Sequence, residues 1–141
     1  MSVLLAVDGS ESSAHAVAHL IADLGRWRER PAVHLLHVHP PIPVGRAGEF
    51  IGHDSLERYY REESLAQLAE AERLLAAAGV PYVRHIHVGS PAELIVRVAG
   101  ELGCDRIVLG NGGRGALADA VLGSVAHRVL RLASCPVLLV K

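Results

Sequence analysis

The sequence predicts an α/β domain on an open five-stranded parallel sheet, strand order 3-2-1-4-5, with helices on both faces. Two observations carry this. Five short apolar runs alternate with stretches of helical periodicity, and strands separated by helices form parallel sheets that are covered on both sides. Right-handed crossovers then leave few layouts, and the doubly wound one places the first and fourth strands side by side. The winding direction switches between those two strands. The crevice at their C-terminal ends is where open α/β sheets bind ligands.

The elements follow in chain order. The apolar runs are Val3–Val7, Val33–Val38, Val83–Val88, Arg106–Gly110 and Val137–Val140. Between the first two, Ala14, Val17, Ala18, Ile21 and Leu24 keep helical spacing. Leu65, Leu68, Ala71 and Leu75 do the same before the third run, and Leu94, Ile95, Val98, Ala99 and Leu102 before the fourth. Gly79-Val80-Pro81 closes the second helix as a glycine cap and proline stop. Ser90-Pro91-Ala92-Glu93 reads as a capping box with proline at the first helical position. A last helix over Val125–Leu132 would place Val125, Val129 and Leu132 on one face. The stretch from Pro40 to about Ser55, rich in proline and glycine, is long for a connection and reads equally as a flap over the crevice or a surface excursion.

Composition narrows the function classes. At 141 residues the chain is read as one domain, residues 1–141, long enough to bury roughly 70% of its unfolded surface. Half the residues are apolar and the net charge is −1, so nothing suggests a nucleic-acid partner. No apolar run approaches a membrane span and no signal peptide is evident, so a cytoplasmic location is expected. Cys104 and Cys135 each precede a predicted strand and read as reduced, buried thiols. Lys141 is the one lysine.

The densest chemical signal is Leu109-Gly110-Asn111-Gly112-Gly113-Arg114, closed by Gly123-Ser124. A strand runs into a glycine loop, and the loop returns to a helix start. Glycines allow close backbone approach, and a helix N-terminus offers unpaired N–H groups and a positive dipole end. Such a cradle suits phosphate. Gly110-x-Gly112-x-x-Gly115 matches the dinucleotide fingerprint literally, but it follows the fourth strand, and no acidic residue occurs after Asp119 to hold a ribose. A P-loop fails for want of Gly-Lys-Ser/Thr.

The spacing Gly110-x2-Gly113-x9-Gly123-Ser124 resembles the signature of the nucleotide-binding, ATP-binding subgroup of universal stress proteins. Further segments match in order: Ala6-Val7-Asp8-Gly9-Ser10, Leu35-Leu36-His37-Val38, and Ser134-Cys135-Pro136-Val137-Leu138-Leu139-Val140. The resemblance covers essentially the whole chain and implies a Rossmann-like fold of the adenine nucleotide alpha hydrolase type. It implies that Gly110, Gly113, Gly123, Ser124 and Val125 hold ribose and phosphates. Ala6, Val7, Val38 and Leu109 would line an adenine pocket, with Asp8 bonding the nucleotide or its Mg²⁺. It also implies a homodimer through Val137–Val140, an apolar edge strand with nothing in it to discourage pairing.

Several alternatives stand beside this reading. Asp8-Gly9-Ser10 is equally a helix N-cap region. His37, His39, His85 and His87 lie on two neighbouring strands, so a four-histidine zinc site is geometrically conceivable, although no carboxylate or cysteine joins them. A slow ATP hydrolase or phosphotransferase is the competing activity. Phosphoryl chemistry needs cations and a placed base, and the loop offers only Arg114, so binding is favoured over turnover. A flavin carrier lacks aromatic residues in the glycine loops to stack on. Finally, a side chain at Gly123 is expected to block the helix donors, and to strain the chain if φ there is positive.

Overall fold

The computed structural model describes residues 1–43, 52–112 and 122–141. Strands and helices alternate: β1 (Ser2–Ala6), α1 (Glu11–Leu24), β2 (Ala32–His39), α2 (His53–Ala77), β3 (Val83–Val88), α3 (Pro91–Glu101), β4 (Arg106–Gly110), α4 (Ser124–Leu132) and β5 (Val137–Val140). The sheet order is β3-β2-β1-β4-β5, and every pairing is parallel. This is the predicted order. Among the described residues no helix is long and apolar enough to cross a membrane.

The period-two alternation of the strands divides the interior into two cores. Val3, Leu5, Val7 and Leu35 meet Val17 and Leu20 of α1 and Leu68 and Leu75 of α2. Leu4, Ala6, Leu36, Val38 and Ile107 meet Ile95 and Val98 of α3 and Val129 of α4 on the other face. Leu4, Leu5, Leu35, Leu36 and Ile107 are fully buried, and burial of each such side chain contributes about 1.5–3 kcal/mol. Cys104 and Cys135 are free thiols packed with the second core, and burial pushes the Cys104 thiol up.

Three local expectations change. α4 buries Ala126 and Val129, whereas Val125 and Leu132 are exposed. Small Ala126 lets the helix lie against α3, and that rotation turns Val125 toward the crevice instead of the core. Ser90 is the N-cap of α3 with Pro91 behind it, but its hydroxyl makes no capping bond. Glu93 pairs instead with Arg128 of α4 at the surface. α2 begins at His53, slightly earlier than expected. Residues 44–51 of the preceding connection, and with them most of the flap question, lie outside the described residues.

The β2–β3 register decides the histidine question. Leu36 pairs with His85, His37 with Ile86 and Val38 with His87. In a parallel pair, partners share a face. His37 and His39 therefore stand on the α1/α2 side, while His85 and His87 stand on the α3/α4 side. The four-histidine zinc site does not form. His85 instead meets His34, with Nε2 of one and Nδ1 of the other 2.9 Å apart.

Candidate functional site

A cleft of about 840 Å³ opens over the C-terminal ends of β1, β2 and β4, where the winding switches. That volume falls in the range of small-molecule sites. Ala6, Val7 and Asp8 at the end of β1, Val38 of β2, and Leu109 and Gly110 of β4 all line it. So do Gly123, Ser124 and Val125 at the start of α4. Gly113 and Arg114 lie outside the described residues.

The turn after β1 is fixed by its own polar groups. Asp8 Oδ1 accepts from the Ser10 backbone N–H at 2.9 Å and from the Ser13 hydroxyl at 2.7 Å. The Asp8 N–H in turn donates to Ser13 Oγ at 3.0 Å. The N-cap of α1 is Ser10, whose hydroxyl accepts from Ser13 N–H at 3.1 Å. Asp8 thus braces the turn while Ser10 does the capping. This arrangement holds the aspartate at the rim of the cleft.

Close packing, and not positive φ, explains the two glycines of the loop ends. A Cβ on Gly110 would strike Ser12 of α1, both its hydroxyl and its backbone. Gly123 has φ −58, so the strain anticipated from a positive φ is absent. A Cβ there would strike the Gly112 carbonyl, because Gly123 N–H donates to Asn111 O at 2.7 Å and pulls the two loop ends together. A side chain at 123 would therefore also displace the loop. Beyond Gly123 the N–H groups of Ser124, Val125 and Ala126 have no acceptor within the helix. Among the described residues no side chain caps α4, and no acidic residue occupies its first turn, whereas α1, α2 and α3 carry Glu11, Asp54 and Glu93 there.

The sequence reading missed the wall that α2 supplies. Tyr59, Glu63 and Gln67 all line the cleft, and their spacing of four puts them on one helix face. That spacing was the available signal, but the adjacent apolar stripe around Leu68 and Leu75 identified only the core-facing side. Buried His37 donates from Nδ1 to Val7 O at 2.8 Å, stiffening the β1–β2 corner. His39 donates from Nδ1 to Pro40 O at 2.6 Å and packs against Tyr59 and Tyr60. The Tyr60 hydroxyl accepts from Ile42 N–H at 2.8 Å, tying the start of the connection to α2. Among the described residues no group of three or more His, Cys, Asp or Glu is placed to hold a metal ion.

The cleft accordingly has two characters. Ala6, Val38, Leu109 and Ile95 make an apolar wall, and the start of α4 presents hydrogen-bond donors. The fold is that of a doubly wound α/β domain with its cleft at the topological switch point. The model of the universal stress protein family matches residues 1–141, and the chain belongs to that family. It is 34% identical to a universal stress protein encoded in the QAH/OAS sulfhydrylase 3′ region of Thermus aquaticus, over 99% of this chain and 98% of the relative. Among solved structures, it is similar to the protein MJ0577 of Methanocaldococcus jannaschii at a TM-score of 0.83 and 31% identity, covering 99% of this chain and 94% of that one. It is also similar to a universal stress protein solved in complex with cAMP, at a TM-score of 0.69 and 28% identity, covering 100% and 97%.

Proposed function

We propose that this chain binds an adenine nucleotide, ATP in the first instance, and acts as a stress-response binding or signalling module. The observation that carries the reading is the cleft in which an apolar wall adjoins the start of α4, a helix end that no side chain caps among the described residues. A nucleotide has the same two characters. Its base would lie against Ala6, Val7, Val38 and Leu109, and its ribose and phosphates against Gly110, Gly113, Gly123, Ser124 and Val125. The donor set fits, since unpaired helix N–H groups and a serine hydroxyl suit phosphate oxygens. Asp8, braced at the rim, would bond the nucleotide or its Mg²⁺. The similar protein solved with cAMP adds support for the adenine class.

The inventory supports binding over turnover. Among the described residues lining the cleft there is no lysine or arginine, and stabilising a transferred phosphoryl group calls for such cations or their equivalent. ATP hydrolysis is expected to be far below the ordinary enzyme median of about 10 per second. In this reading the chain works in the cytoplasm as a homodimer paired through β5.

The test is to release whatever nucleotide co-purifies, identify it by mass spectrometry, and titrate the emptied protein with Mg-ATP by calorimetry. Saturable binding that is lost in Gly123→Val supports the reading. No nucleotide released and no heat on titration would remove it.

A further inference from the structure

We infer that His127 faces the phosphates in this cleft and takes up a proton when a nucleotide binds; the inference rests on the nucleotide reading above. The argument begins with charge. The fixed charges lining the cleft among the described residues are the carboxylates of Asp8 and Glu63, with no lysine or arginine to oppose them. A polyphosphate brought there meets helix donors but no permanent cation from these walls.

His127 is positioned to supply one. It lines the cleft and stands three residues beyond Ser124, on the same face of α4. Its backbone N–H donates to Gly123 O at 2.9 Å, so its place in the first turn is set by the cap. The side chain is exposed.

Arg131 stands one turn beyond His127 on α4 and does not line the cleft. The other neighbouring titratable groups among the described residues are engaged elsewhere or lie across the cleft. Arg128, next on α4, is paired with Glu93 of α3, and Arg97 of α3 is paired with Glu101. β5 carries no titratable side chain. His37 and His39, at the end of β2, each commit Nδ1 to a backbone carbonyl. Tyr59 and Glu63 belong to α2, on the opposite side of the sheet from the α3/α4 core.

The sign follows from the ligand. Several phosphate charges beside the imidazole favour its charged form, so binding draws a proton onto His127. The terminal phosphate, with a second ionisation near pH 6, responds oppositely, because N–H donors favour its fully ionised form. Net proton uptake therefore separates the histidine from the ligand.

The experiment is calorimetry of Mg-ATP binding at pH 6.5 in two buffers of different ionisation enthalpy, with affinities also measured at pH 6 and pH 8. Wild type should take up a substantial fraction of a proton, and relative to His127→Gln should bind roughly threefold to fivefold tighter at pH 6 than at pH 8, the size expected of an exposed charge contact. His127→Gln should lose the uptake. His127→Lys should restore the low-pH affinity at pH 8 with no uptake, because its charge is permanent. Uptake that persists in His127→Gln would place the proton elsewhere and overturn the inference while leaving the nucleotide reading intact. Absence of uptake in wild type would do the same, whereas no binding at any pH would bring down both.

Discussion

Ser12 Oγ accepts the backbone N–H of Gly112 at 3.1 Å, joining residues 100 positions apart. The same serine occupies the space that a Cβ on Gly110 would need. The first turn of α1 is thus the floor on which the end of β4 and the start of the glycine loop rest. Because Ser10 caps α1 and Asp8 braces Ser10, the β1 turn and the β4 loop form one connected unit. Its geometry depends on small residues at both contacts.

Gly110→Ala should damage that unit. The added methyl meets Ser12 backbone atoms, which cannot swing aside as a flexible side chain would. Overpacking of this kind costs about 1–3 kcal/mol, so the variant should melt at lower temperature and bind ATP at least tenfold more weakly. Ser12→Ala loses the bond from Gly112 N–H and a long one to Asn111 Oδ1, each worth about 0.5–1.5 kcal/mol at most, and should have a milder effect. Paired with Gly110→Ala it should relieve part of the clash with the hydroxyl, and a double-mutant cycle reads that coupling. Additive effects would show that the two residues act independently.

At the loop's other end, Gly123→Val should abolish ATP binding in calorimetry while the circular dichroism spectrum stays near wild type. The cause is collision with the Gly112 carbonyl, which pushes the α4 donors away from the cleft. Hydrogen bonds to charged groups contribute about 1.5–3 kcal/mol each, so losing two weakens binding roughly a hundredfold or more. Ser124→Ala gives up one hydroxyl contact and should bind more tightly than Gly123→Val. The reverse order would put the phosphates somewhere other than the start of α4.

These contacts mark the boundary of what the sequence discloses. Strand order was legible because Val3–Val7, Val33–Val38 and the later runs are punctuated by caps and by Gly79-Val80-Pro81, all local signals. The placement of Gly110 and Gly123 near one another was legible from their fixed spacing to Ser124. The reason each is glycine was not, since Ser12 and Gly112 are partners brought in by tertiary packing. The histidines failed for a related reason. Alternation says that His37 and His39 share a face, as do His85 and His87, but only the register says whether the two faces coincide. Tyr59, Glu63 and Gln67 were obscured because one helix carries two stripes, and the apolar one is the stronger signal.

Stability should fall with acid in two separate windows. Glu72 of α2 is bonded by Arg84 Nε and Nη2 and by the Tyr82 hydroxyl, each at 2.7 Å. The Arg84 guanidinium holds the Glu72 carboxyl below its usual range against the opposing effect of burial, with Tyr82 assisting. A depressed carboxyl stabilises the fold above its unfolded value of about 4.3, and that contribution disappears as the pH falls through the folded value. For His85, burial first and then His34 and His87 push the imidazole down. The unfolded chain therefore takes up that proton first, and stability declines as the pH drops below about 6.5. In urea titrations across pH, His85→Gln should flatten the decline that sets in below about pH 6.5. Glu72→Gln should lower stability at pH 7 by about 1–2 kcal/mol and flatten the decline below about pH 4.5. Unchanged acid limbs in both variants would refute the assignment.

The edge of the sheet supplies the last test. Ile107 N–H donates to Pro136 O at 3.0 Å, and Asn111 N–H donates to Val140 O at 2.9 Å. Strand groups alternate sides, so the backbone of residues 136, 138 and 140 faces β4, and that of Val137 and Leu139 faces outward. Proline is tolerated on an edge strand where its missing N–H points away from the ladder. Leu139→Pro therefore leaves the β4 pairing in place and removes a donor available only to a second copy of the chain. If the dimer pairs β5 with itself, sedimentation should show a micromolar wild-type dimer and a folded Leu139→Pro monomer, with Leu139→Val still dimeric. Leu138→Pro should instead disrupt the β4–β5 ladder and lower the melting temperature, because its N–H faces inward. A Leu139→Pro protein that remains dimeric would move the interface away from β5, and a monomeric wild type would show that this apolar edge is left unpaired.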